Sequence, residues 1–244
     1  MKVDLHVHTR GSDGTGQPWE IAQSAKAAGL DGLAITDHHK THTAEGLEVA
    51  RACRALGLVV FSGCEYSALE GHVLVFGVDV EELAMGLYPP MQTVIDRVNA
   101  AGGVVVPSHP YHGYRSTLGG GVFQLQGMAG VEVANGQCAA SLARVSCNEK
   151  AARAAMFLEL PGTGGSDAHD PRRIGACYTE FPEWMATTGD LVAALKKANV
   201  MATTTAGSGL RAVVNVTPVV PAHVPAPGAP LEKVIPAKDR WFWK

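Results

Sequence analysis

The sequence predicts an α/β fold of parallel βα units forming one catalytic domain, and three observations carry that reading. Short β-rich runs alternate with longer helical patterns, which separates parallel βα units from an all-β sandwich. Two helical stretches stop at Gly29 and Gly57, the residue type that ends a helix without a Cβ penalty. Polar clusters recur at the carboxyl ends of the apolar runs, where barrels and open α/β sheets place their chemistry. A chain of 244 residues, 46% of them hydrophobic, can bury a substantial core and suits one α/β barrel better than two domains.

The elements follow in order. Residues 3–7 form the first strand, and a helix over 18–28 has Pro18 at an early position, where a missing N–H costs nothing. Residues 33–36 are a second buried strand, 43–56 a helix and 58–61 a third strand. Strands over 73–76 and 103–106 flank a helix over 91–101. Strands over 131–134 and 162–165 flank a long helix over 139–157, and 191–197 is a further helix. From residue 217 the chain turns proline-rich (Pro218, Pro221, Pro225, Pro227, Pro230, Pro236) and closes on Trp241-Phe242-Trp243-Lys244. The division is therefore 1–216 for the catalytic domain and 217–244 for an extension, a packed strap or a mobile tail.

Composition excludes several classes. A net charge of −3, from 20 Lys+Arg against 23 Asp+Glu, leaves no broad basic surface for long duplex nucleic acid, so a nucleic-acid substrate is expected to be short. Charged and polar residues arrive at once (Lys2, Asp4, His6, His8, Arg10) where a signal peptide would be apolar. Glycines, prolines and charges break every apolar run short of a membrane span. Five scattered cysteines without a C-x-x-C pair (Cys53, Cys64, Cys138, Cys147, Cys177) indicate buried free thiols and a reducing, cytoplasmic setting.

Five clusters carry the chemistry. His6 and His8, two apart on a strand, point to one face and can grip one ion, with Asp13 on the adjoining loop. Taken alone, that pair is equally readable as two ordinary histidines. Thr36-Asp37-His38-His39 follows the second strand; an Asx turn would account for Asp37 but not for two consecutive histidines. Glu65 follows 59–64, and His72 opens the next strand. Ser108-His109-Pro110 sits at a strand mouth, and Ser166-Asp167-Ala168-His169 repeats the two-residue spacing. Oxygen and nitrogen donors without thiolates suit Zn, Mn or Fe used for hydrolysis.

These residues carry a resemblance. Asp4-Leu5-His6-Val7-His8-Thr9, Ser12-Asp13-Gly14, Ile35-Thr36-Asp37-His38, Gly63-Cys64-Glu65, Ser108-His109-Pro110 and Gly165-Ser166-Asp167-Ala168-His169 together resemble the PHP (polymerase and histidinol phosphatase) family, over about residues 1–210. The resemblance implies a distorted (β/α)7 TIM-like barrel holding two or three divalent metal ions (Mn, Zn or Fe). By position it implies His6, His8, Glu65 and Asp167 around a first ion. Glu65 would bridge to a second held with His72 and His109, and Asp13, His38 and His169 would hold a third. Arg10 departs from the small polar residue or histidine more usual there, which bears on the pocket rather than the metals.

The function so implied is a metal-dependent phosphoesterase hydrolysing a small phosphomonoester, a nucleotide or sugar-like phosphate, by a metal-activated hydroxide. Asp37 would orient a ligand, and Arg115 is the first choice for a phosphate-binding guanidinium. Arg10, His39, His112 and Asn135 are further candidates for substrate contact, as is Arg144, while His42 and His223 are read as surface histidines. About twenty residues between His109 and Val131, rich in glycine, leave little room for an inserted lid. The rivals are a 5'-3' exonuclease or oligoribonuclease on the same metals, and a non-catalytic PHP structural module. All nine ligand positions keep acid or imidazole groups, against the second rival. The oligomeric state is left open.

Overall fold

In the computed structural model, residues 1–113, 118–141 and 145–204 are described, apart from the side chain of Val145. Three parallel strands form the centre: β1 (Lys2–Val7), β2 (Gly32–Ile35) and β3 (Val59–Ala68). β4 (Gly71–Phe76) returns antiparallel to β3, and β5 (Val104–Pro107) is antiparallel to β4. The parallel pair β6 (Val131–Asn135) and β7 (Gly162–Gly165) forms a separate two-stranded sheet. β8 (Cys177–Glu180) lies antiparallel to β1, and β9 (Met201–Thr204) antiparallel to β8. The main sheet thus runs β5-β4-β3-β2-β1-β8-β9.

The β6/β7 pair is tied to that sheet at β1 and at the edge strand β5. The Asp167 N–H donates to the His6 carbonyl (2.8 Å) and the His8 N–H to the Ala168 carbonyl (3.0 Å), while the Ala129 N–H reaches the Val105 carbonyl (2.9 Å). The result is a curled, half-barrel α/β fold. It is less regular than an even alternation of βα units. Glu65 lies inside β3, not past its end, because the strand continues to Ala68 and turns directly into β4 without a helix. Since β4 runs the other way, its first residues, including His72, meet the carboxyl ends of β3 and β5 at the same rim. The expected helix over 139–157 is two helices, α4 (Gly136–Ala139) and α5 (Val145–Leu158). β8 and β9 go beyond the sequence reading, and the boundary at 216/217 lies outside the described residues.

The other helices lie close to expectation: α1 (Pro18–Ala27), α2 (Ala44–Ala55), α3 (Met91–Ala100) and α6 (Thr188–Lys196). Thr43 caps α2 by accepting from the Gly46 N–H (3.0 Å), satisfying one of the orphan donors of the first turn. Ile21 and Ala25 of α1 and Val49 and Cys53 of α2 bury against Val7, Leu33 and Ile35. Full burial of Ile21 alone is worth roughly 1.5–3 kcal/mol. A second cluster packs α6 through Leu191 and Leu195 against Phe61 and Phe76, and a third packs α3 through Val94 and Val98 near Val75 and Val105. All five cysteines are buried and free. No described helix is long and apolar enough to cross a membrane.

Candidate metal centre

The carboxyl ends of the central strands converge on one carboxylate. Glu65, 2% exposed, has its Oε1 2.9 Å from His109 Nε2 and 3.1 Å from His72 Nδ1, and accepts from Ser108 Oγ at 2.9 Å. Its Oε2 faces His8 Nε2 (3.3 Å), His6 Nε2 (3.4 Å) and His38 Nδ1 (3.4 Å). Asp167 Oδ1 lies 3.5 Å from His6 Nε2 and 3.4 Å from His8 Nε2. Asp13 Oδ2 is 3.1 Å from His169 Nε2 and 3.6 Å from His38 Nε2, and Asp13 Oδ1 is 3.4 Å from His8 Nδ1. All nine side chains singled out as ligands in the sequence therefore meet. Three overlapping groups have donor atoms close enough for a shared ion: His6/His8/Asp167, His6/Glu65/His109, and His8/Asp13/His38/His169.

Local backbone geometry aims these side chains. Asp167, His109 and His39 hold left-handed φ values of +54°, +29° and +58°, conformations that cost a non-glycine residue about 1–3 kcal/mol and persist where the surroundings enforce them. Pro110 follows His109 directly and turns the chain. Gly14 is required by close approach, since a Cβ there would lie 2.4 Å from the His8 carbonyl oxygen.

The electrostatics fit a cation. His6 Nδ1 lies 2.9 Å from Glu132 Oε1; a carboxylate only accepts, so Nδ1 carries a proton, and in the neutral ring the lone pair is the one at Nε2. That lone pair faces His8 Nε2 at 3.1 Å as well as the Glu65 and Asp167 oxygens. His38 Nδ1 is buried without a hydrogen bond. Acceptors crowded in this way call for positive charge between them. The same field acts on protons: burial works to lower the His8 pKa, but hydrogen bonds to Asp167 and Glu65 outweigh it and push His8 up to about 9. Burial would raise Glu65, yet the histidines around it, His6 foremost, hold it well below the usual carboxylate range. Asp167 is lowered in the same way, burial being outweighed by His6, His8 and His109.

Other expected site residues fall differently. Asp37 is buried with both oxygens occupied, Oδ1 by the Thr9 N–H (2.7 Å) and Ser12 Oγ (2.8 Å), Oδ2 by Thr9 Oγ1 (2.6 Å) and Thr43 Oγ1 (2.7 Å). These bonds tie down the loop leading to Asp13. Asn135 was expected at the substrate; it is wholly buried, its Nδ2 donating to Glu132 Oε2 and Asp167 Oδ2 (both 3.1 Å) and its Oδ1 accepting from the Cys138 N–H (3.0 Å). With the amide so engaged, Asn135 braces the site from behind. Arg10 is half-exposed and sits 3.8 Å from Glu45. His39 packs edge-on to Tyr66, and His112 is buried with its ring 5.3 Å from that of His109. Arg115 and Arg144 lie outside the described residues.

Two site features escaped the sequence reading. Glu132, wholly buried behind His6 and His109, was passed over as part of an apolar strand; a lone carboxylate flanked by Val131 and Val133 is the signal that could have found it. Arg173, with Gln137, Ser166 and Asp167, lines a recess of about 190 Å³ beside the cluster. Gln137 Nε2 lies 3.1 Å from the Asp167 carbonyl and 3.2 Å from His169 Nδ1.

Comparison with known proteins identifies the family. The PHP domain model matches residues 4–112, and the PHP-associated model residues 146–200. An uncharacterized protein of Methanocaldococcus jannaschii is 32% identical over 146 residues, 55% of this chain and 82% of that one. The 3',5'-nucleoside bisphosphate phosphatase of Chromobacterium violaceum is 36% identical over 107 residues, covering 41% of this chain but only 36% of that enzyme. Among solved structures, a two-domain Bacteroides vulgatus protein containing a predicted PHP-like metal-dependent phosphoesterase superposes with a TM-score of 0.65 at 21% identity, over 84% of this chain and 64% of that one. That likeness concerns the fold. The two matched segments contain all nine converging side chains, Asp167 and His169 in the second and the other seven in the first. The chain belongs to the PHP family.

Proposed function

We propose that this protein hydrolyses a small phosphomonoester, of nucleotide or sugar-like class, at the centre built on Glu65. The observation that carries the reading is the convergence of five histidines with Glu65, Asp13 and Asp167 into three overlapping donor groups, with a sixth, His72, 3.1 Å from Glu65 Oε1. His6, His8 and Asp167 would hold one ion, Glu65 would share it with a second at His72 and His109, and Asp13, His38 and His169 would hold a third. Divalent ions bound there would activate water and neutralise phosphoryl charge.

The remaining residues bind and orient. Asp37 and Gln137 steady the Asp13 loop and the Asp167–His169 loop through the hydrogen bonds already described. Arg173 stands in the recess beside Asp167 as a cation for a substrate anion; a guanidinium recognises phosphate or carboxylate through paired N–H donors. The named activity of the Chromobacterium relative, phosphate removal from a nucleoside bisphosphate, belongs to the same reaction class.

The test is phosphate release from an aryl phosphate and a panel of nucleoside and sugar phosphates, with protein loaded with Mn²⁺, Zn²⁺ or Fe²⁺ and with chelated protein. Release that depends on the metal is expected. No release across the panel by the loaded protein would overturn the reading, and mononucleotides released from a short labelled oligomer would move it to a diesterase.

A further inference from the structure

We propose that Glu132 is a positioning residue that fixes the tautomer of His6 and, through Asn135, holds His6, His109 and Asp167 in a common register. The inference rests on the reading of those three side chains as metal-binding groups. Glu132 and Asn135 sit in β6, otherwise made of Val131, Val133 and Ala134, and both are wholly buried. A carboxylate in such a place costs several kcal/mol unless donors surround it. Here three donors arrive from three parts of the chain: His6 Nδ1 on Oε1 (2.9 Å), and the His109 N–H (2.7 Å) and Asn135 Nδ2 (3.1 Å) on Oε2. Asn135 Nδ2 also reaches Asp167 Oδ2 at 3.1 Å.

Each bond constrains a group in the site. Because Glu132 can only accept, the His6 proton stays on Nδ1 and the Nε2 lone pair stays aimed at His8, Glu65 and Asp167. The bond to the His109 N–H holds that residue at its left-handed φ of +29°, from which its ring reaches Glu65. Glutamine at this position could not do the same. If its amide nitrogen faced His6, Nδ1 would have to accept and the proton would move to Nε2, removing the ligating lone pair. If the nitrogen faced the other way, it would meet two N–H donors already pointing at it. A group of merely structural value would be indifferent to this choice of proton position.

The test combines zinc titration with ¹⁵N spectra of the histidine rings. In zinc-loaded wild-type protein, His6 should carry its proton on Nδ1 and bind through Nε2; ligation through Nδ1 would overturn the inference even if no variant folds. Glu132→Gln should lower zinc affinity about 10–100-fold and displace the His6 ring signals from that tautomer. Asn135→Ala, which keeps the Glu132–His6 contact, should weaken zinc binding while leaving the His6 tautomer unchanged. Wild-type affinity together with a wild-type His6 tautomer in folded Glu132→Gln would refute the role of Glu132 while leaving the metal centre standing. Absence of zinc binding by the wild type would sink the metal reading, and this inference with it.

Discussion

Replacing Glu65 by glutamine should abolish most of the stabilisation that metal confers on the fold. One Glu65 oxygen meets His72, His109 and Ser108, and the other meets His6, His8 and His38. Whichever way the new amide turns, its nitrogen faces one set of imidazoles that had faced an anion. A partner outside the coordination sphere is worth about 10–100-fold in metal affinity, so a shared ligand should be worth at least about 100-fold. With free metal at about 100 times the wild-type Kd, one site stabilises the native state by about 2.7 kcal/mol; a 100-fold weaker site at the same concentration gives only about 0.4 kcal/mol. The difference, about 2.3 kcal/mol, corresponds to about 5–9 °C in Tm for a domain of this size. Thermal unfolding of each protein with metal and with chelator reads that increment, and any change in the metal-free stability cancels. A Glu65→Gln increment within 1 °C of the wild-type value, taking about 1 °C as the resolution of the scan, would refute the shared-ligand geometry.

Two further outcomes follow from packing and burial. At Gly165 in β7, a Cβ would stand 2.4 Å from His6 Cβ and 2.8 Å from its backbone nitrogen; since backbone cannot yield cheaply, Gly165→Ala should cost about 1–3 kcal/mol or more in urea unfolding and weaken metal binding, and an unchanged midpoint would contradict the close approach. Burial pushes the Cys53 and Cys177 thiols up to about 12, and Cys64 and Cys138 higher still. Because the thiolate is the reactive form, these groups should remain unmodified by a disulfide reagent at about pH 8 until the protein unfolds, and rapid labelling of any of them in native protein would show the core to be more open than described.

Much of the site could be read in the sequence because its residues repeat a local pattern. His6/His8 and Asp167/His169 each stand two apart at a strand end; alternation accounts for the first pair, whereas Asp167, beyond β7, is aimed by its left-handed φ of +54°. The helices were equally readable: apolar periodicity, Pro18 and Thr43 at the starts, and glycine after α1 and α2. The β3/β4 hairpin was not, because an apolar run that continues past an acidic residue looks like a strand that has ended. β8 and β9 are four residues each and take their place only by pairing with β1 and with each other.

The sequence by itself determined the α/β class, the chemical character of the donor set and the family, since each depends on residue type and short-range spacing. Only the tertiary structure decided which groups face the centre and which brace it. Asp37 and Asn135 are as polar as the ligands around them, but Thr9, Ser12 and Thr43 enclose the first, and Glu132, Asp167 and the Cys138 N–H engage the second. Glu132, silent within an apolar strand, acquires its role from His6 and His109, which lie 126 and 23 residues away in the chain. Hydrogen-bond direction is a property of groups in contact, and those contacts exist only once β1, β5 and β6 have come together.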